Sequence, residues 1–162
     1  MIKNNKEKQI VLVLSKRFPS KHISKGKPTM FKEKLYEGTK IHTIRSNYEL
    51  WKHNIGKINN NEDCIMSVRQ WSDKPYRSKQ QEIKSLSKVG YERITMQYNP
   101  ISGSVKAVVN GKQFSDVKKI AENDGLKWEE FVDWFFGQGM NKTLFQGIII
   151  HFTDFRYSNT LV

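Results

Sequence analysis

A lysine, a hydroxyl and an arginine lie within six residues in Gly38-Thr39-Lys40-Ile41-His42-Thr43-Ile44-Arg45. A threonine hydroxyl is a weak nucleophile and needs a base beside it. Lysine serves as that base only if desolvation or a neighbouring cation lowers its pKa, and Arg45 is such a neighbour in the sequence. A carboxylate from elsewhere would orient the amine or shuttle a proton. The spacing sets a condition. On a regular strand Lys40 and Thr43 point to opposite faces, whereas Ile41, Thr43 and Arg45 share one face and His42 and Ile44 the other. The turn at Gly38-Thr39 must therefore carry Lys40 outside the pleat, or its long stem must reach round. Gly38 suits such a turn because it accepts a left-handed conformation. The plainer alternative is a surface strand with ordinary cations.

The pattern Gly38-x-Lys40-x-x-Thr43-x-Arg45 resembles the signature of ASCH domains, a branch of the PUA-like superfamily. The commoner family form has Glu where Thr43 stands. Thr at that position resembles the small bacterial acetylcytidine amidohydrolases, whose proposed catalytic set is Lys-Thr-Glu. The resemblance spans about residues 28–71 and 115–152, and the chain's surplus lies in its N-terminal loop and in 72–111. It implies an α+β, PUA-like, mostly antiparallel β-barrel with short flanking helices. It also implies Lys40 as base and Thr43 as nucleophile, with the carboxylate in Ala121-Glu122-Asn123-Asp124-Gly125-Leu126. Aligned without gaps, the acid falls at Asp124, one methylene shorter than Glu, with Glu122 as the near alternative. The implied substrate is an acylated cytosine base or nucleoside such as N4-acetylcytidine, and no cofactor is implied. ASCH domains are also thought to bind RNA and some to cut it, so an RNA-binding module, or a ribonuclease, is the alternative.

The chain has 162 residues, enough for one domain with a real core, here expected over 9–162 behind a frayed 1–8. The net charge of +12 would attract a polyanion, and RNA or a modified nucleoside is the partner expected. The cations recur along most of the chain, which suggests a basic face rather than a tail. Cys64 is the only cysteine, so no intrachain disulfide can form, and no stretch approaches the ~20 apolar residues of a membrane span. The polar, basic start lacks the apolar core of a signal peptide, which makes the cytoplasm the default compartment. The four histidines and Cys64 show no recognised metal-ligand spacing, and no phosphate-cradling glycine loop or Gly-x-Ser-x-Gly elbow is present.

The elements that must position these residues follow from pattern. Gln9–Leu14 reads as a buried strand, 15–28 as a basic loop containing His22, and Pro28-Thr29 as the start of a helix ending at Gly38. Residues 47–61, with Tyr48, Trp51, Gly56 and three asparagines, read as a loop, and Cys64–Trp71 as a central strand. Residues 72–88 read as a polar segment docked by Ile83 and Leu86. Within it Lys74 and Tyr76, with Arg45 and Arg69, are the candidate RNA contacts, cations for phosphate and an aromatic ring for a base. A charged loop with a buried tyrosine is the alternative there. Residues 90–98, 104–110 and 111–114 suggest a meander turned by Asn110-Gly111. Two helices follow, one capped by Asp116 and broken at Asp124-Gly125, the other carrying Trp128, Phe131, Val132 and Phe135 on one face and stopped by Gly137 and Gly139. A last buried strand contains Ile148-Ile149-Ile150.

Overall fold

The computed structural model describes residues 7–137 and 142–159. The fold is α+β: two mostly antiparallel sheets and four short helices among the described residues. The smaller sheet has the order β1 (Lys8–Val13), β3 (Cys64–Trp71) and β4 (Gln80–Leu86). The larger has the order β2 (His42–Arg45), β8 (Leu144–His151), β5 (Gly90–Tyr98), β6 (Val105–Val109) and β7 (Lys112–Phe114). β1 and β3 run parallel, and every other pairing is antiparallel.

The expected barrel is not closed. β2 forms the edge of the larger sheet and is only four residues long. Two residues beyond it Asn47 takes a left-handed conformation (φ 61°) and turns the chain into helix α2 (Tyr48–Asn59) instead of a closing strand. This helix replaces the loop read over 47–61. Tyr48, Trp51, Ile55 and Ile58 recur at helical spacing and pack on the core, and the Asn47 side chain accepts from Leu50 N–H. The polar segment 72–88 likewise ends in strand β4. It shows no apolar alternation because Ile83 is its one buried residue, set where the register with β3 shifts between Val68 and Arg69.

β1, read as a buried strand, instead lies at the edge of the smaller sheet, with Leu12 its one buried residue and Val11 exposed. The remaining elements follow their patterns. The Asn110-Gly111 hairpin has both residues at positive φ, 48° and 79°. Helix α1 (Phe31–Glu37) buries Phe31 and Leu35 and ends at Gly38 (φ 81°). Helix α3 (Val117–Asn123) is capped by Asp116, and helix α4 (Trp128–Phe136) buries Phe131, Phe135 and Phe136 and stops at Gly137. Gly139 and the first six residues of the expected frayed lead-in lie outside the described residues. β8 is buried from Gly147 to His151, with Ile148, Ile149 and Ile150 all inaccessible. Among the described residues no helix is long and apolar enough to cross a membrane.

Candidate functional site

Lys40 precedes β2 and so escapes its pleat. The Lys34 carbonyl accepts from both Thr39 and Lys40 N–H at 3.0 Å, and Ile41 N–H donates to the Asn123 carbonyl at 2.9 Å. These bonds swing the lysine inward, where it is 2% exposed. Its Nζ donates to the Asp124 carbonyl oxygen at 2.7 Å and to Asp124 Oδ1 at 3.2 Å, and it sits 4.2 Å from the centre of the Phe31 ring.

Asp124 is presented by the end of α3. Gly125 adopts φ 81°, Leu126 N–H donates to the Ala121 carbonyl and Gly125 N–H to the Glu122 carbonyl, the paired bonds of a Schellman cap. Lys34 Nζ donates to the Gly125 carbonyl at 2.7 Å and secures the turn to α1. A Cβ at Gly125 would lie 3.2 Å from that of Lys40, so the glycine serves both the left-handed turn and the close approach.

Lys40, Thr43, Arg45 and Asp124 line one cavity of about 90 Å³, walled by Phe31, Ile44, Leu126, Trp134 and Phe135. The buried Thr43 side chain makes no hydrogen bond to another described residue, so Lys40 is bonded to Asp124 and not to Thr43 in this state. Arg45 Nη2 donates to the Val13 carbonyl at 2.6 Å and ties β2 to β1. Of the two candidate acids, Asp124 reaches the lysine. Glu122 is exposed and pairs with Lys119 at 3.4 Å.

Burial drives the Lys40 pKa below that of an ordinary lysine. Asp124 pulls it back up, while Arg45 and Lys34 push it further down. For Asp124 burial acts upward, but Lys40 and His42 outweigh it, and the carboxyl is held below its usual range. Burial also lowers Arg45, which Asp124 opposes; a guanidinium remains charged throughout.

A second pocket of about 440 Å³ adjoins the cavity and shares Ile44, Arg45, Trp134 and Phe135 with it. Its far wall includes Pro19, His22 and Phe145. His22, read within a basic loop, is buried: it stacks on Phe18, contacts the Trp134 edge and bonds the Glu130 carbonyl at 2.9 Å. That loop thus forms a wall of the pocket.

The remaining predicted contacts lie outside this cavity. Arg69 lies across the smaller sheet, its guanidinium engaged by Ser67 Oγ, Gln80 Oε1 and Gln9 Oε1. Lys74 and Tyr76 occupy the β3–β4 connection. Tyr76 is 89% exposed rather than buried, with φ 62° and its ring 5.2 Å from that of Trp71.

Sequence reasoning missed the polar residues behind the site. His42 Nδ1 is 3.3 Å from Asp124 Oδ1, and its Nε2 is 2.7 Å from the Tyr157 hydroxyl, which accepts from Asn123 Nδ2 at 3.0 Å. Beyond Tyr157, buried Glu92 accepts from His151 Nε2 and from the Tyr157 and Ser158 N–H groups at 2.7–3.0 Å. The partners are up to 115 residues apart, and no local motif signals them. Comparison of the chain with protein-family models, curated proteins and solved structures finds no match in any of the three.

Proposed function

We propose that this chain is an ASCH-type amidohydrolase that removes a short acyl group from the exocyclic amine of a cytosine base or nucleoside, N4-acetylcytidine being the first candidate. One observation carries the reading: a buried lysine amine on a buried carboxylate shares a small cavity with an unbonded threonine hydroxyl. Strongly perturbed titratable groups beside a cavity are a frequent mark of catalytic sites. The 90 Å³ cavity suits an acyl group and is too small for a nucleobase, which the adjoining 440 Å³ pocket would take against Trp134 and Phe135.

In this scheme the neutral Lys40 amine accepts the Thr43 hydroxyl proton as Thr43 Oγ1 bonds to the acyl carbon. Arg45 faces the developing oxyanion. The C–N bond breaks, and the leaving amine takes the proton from Lys40. Water then adds to the acyl-threonine ester and gives its proton to Lys40. As the ester bond breaks the proton returns to Thr43, leaving a carboxylic acid and the free amine. Asp124 orients Lys40 between these transfers. Since only neutral Lys40 acts as base, turnover rises with pH through its lowered pKa. The test is to incubate the protein with N4-acetylcytidine and follow cytidine by chromatography. Release by wild type that disappears in Lys40→Ala and Thr43→Ala, with some retained in Thr43→Ser, is expected. No release by wild type, or equal release by both alanine variants, would remove the reading.

The exposure of Tyr76 beside Lys74 and Arg77 favours a second reading, an RNA-binding module with or without ribonuclease activity. It requires RNA affinity that falls steeply with salt. Affinity absent at low salt, or flat as salt rises, sinks it.

A further inference from the structure

Asp124 Oδ1 lies between two donors, Lys40 Nζ at 3.2 Å and His42 Nδ1 at 3.3 Å. The tautomer of His42 follows from the carboxylate beside it. A bare Nδ1 would set its lone pair against Asp124 Oδ1 at 3.3 Å, so the neutral ring carries its proton on Nδ1. Nε2 is then the acceptor, and the Tyr157 hydroxyl at 2.7 Å donates to it while accepting from the Asn123 amide at 3.0 Å. That N–H is buried and near the carboxylate, yet it is not aligned as a hydrogen bond. Lys40, meanwhile, is bonded to Asp124 and turned from the hydroxyl it would deprotonate. Both unfinished contacts share one carboxylate oxygen.

We propose that His42 is a positioning residue that takes over Asp124 when Lys40 turns to Thr43: the Nδ1–H comes into line with Oδ1 and keeps the carboxylate charged and in place. The inference rests on the reading of Lys40 as the base. It explains why a histidine with no access to the cavity stands beside the lysine–carboxylate pair. It also gives Tyr157 a role at the site, through the hydroxyl that bonds Nε2 and supports the Nδ1–H tautomer of His42.

The groups facing His42 are Lys40, Asp124 and Asn123, Glu92 of β5, His151 of β8 at 5.7 Å between ring centres, and Tyr157. Burial opposes protonation of the ring more than Asp124 and Glu92 favour it, so His42 works as a neutral donor. Its dipole shares the Asp124 charge with Lys40. Without that donor the carboxylate binds the ammonium more tightly, and Lys40 releases its proton at higher pH.

The test follows the Lys40 side-chain titration by the NMR signal of its Cε methylene in the full chain, assigned by its loss in Lys40→Met. Asn places an amide donor where His Nδ1 stands, and Leu places none. His42→Leu is expected to raise the Lys40 midpoint by about one pH unit, a tenfold change. His42→Asn is expected to stay near wild type and Tyr157→Phe to shift in the same direction as His42→Leu. A wild-type midpoint kept in His42→Leu, or an Asn variant displaced as far as the Leu variant, would overturn the proposal. So would a wild-type imidazole spectrum showing the proton on Nε2. Where His42→Leu does not fold, Tyr157→Phe decides, since it removes one oxygen, and an unmoved midpoint there overturns the proposal. In acetylcytidine hydrolysis His42→Leu and Tyr157→Phe should lower kcat at neutral pH, leave KM unchanged and recover at higher pH, while His42→Asn stays near wild type. The NMR titration needs no turnover, so failure of the amidohydrolase reading appears separately, as absent cytidine release by wild type.

Discussion

Two buried clusters of charge meet at Tyr157, and they are finished to different degrees. Glu92, 1% exposed, accepts from His151, from the Tyr157 and Ser158 backbone and, at 3.4 Å, from Asn110 Nδ2. These bonds outweigh burial and bring its pKa down to about 2. In this cluster only His151 Nδ1 lacks a partner among the described residues. The Lys40–Asp124 pair is equally buried, but beside it stand an unbonded hydroxyl, an unaligned imidazole N–H and a cavity. A saturated carboxylate fixes structure, here the docking of the 157–158 backbone onto β5. A cluster left incomplete around a cavity retains bonding capacity for something that enters.

The comparison makes opposite demands on variants of the two clusters. The largest effect is expected from Lys40→Met, which should lower turnover by about 10²–10⁴-fold per folded molecule, the usual contribution of a general base; single-turnover acetylcytidine assays at matched folded concentration measure it. Glu92→Gln should act on stability instead. The drop in its pKa from 4.5 to about 2 corresponds to about 3 kcal/mol at about 1.4 kcal/mol per unit. The sign is that of a depressed acid. Its contribution is fully present above pH 4.5 and lost as pH falls from there towards 2, so urea midpoints of wild type should fall across that window while those of Glu92→Gln stay flatter. Equal midpoints at pH 7 would contradict the saturated-carboxylate account. Gly125→Ala should cost about 1–2 kcal/mol for its left-handed backbone. It should also lower turnover, because its methyl would crowd the Lys40 stem; a loss in melting temperature without a change in turnover would show that the Lys40 position does not depend on this turn.

Much of this arrangement was legible in the chain. Gly38 announced the turn that frees Lys40 from the pleat, and Asp124-Gly125 announced a helix end whose carboxylate is held in place. The juxtaposition of the two turns rests on long-range bonds, Ile41 to Asn123 and Lys34 to Gly125, which local patterns do not encode. The α2 helix was hidden because Gly56 and the flanking asparagines read as loop, while the packing of Ile55 and Ile58 overrode their weak propensity. β4 was hidden by its solvent-facing polar residues. His42 and Glu92 look unremarkable in sequence, and their roles arise only when β5, β8 and the C-terminal turn meet.

The central claim is that the Thr43 hydroxyl exists for chemistry and not for the fold. Thr43→Val keeps the shape and removes a buried hydroxyl that bonds to no described residue, so it should leave stability unchanged or raise it by under about 1 kcal/mol. The decisive measurement is cytidine release from N4-acetylcytidine by this variant, with its melting temperature taken on the same sample. The account predicts a melting temperature at or above that of wild type and no detectable release. Release at the wild-type rate from a normally melting Thr43→Val protein would contradict it.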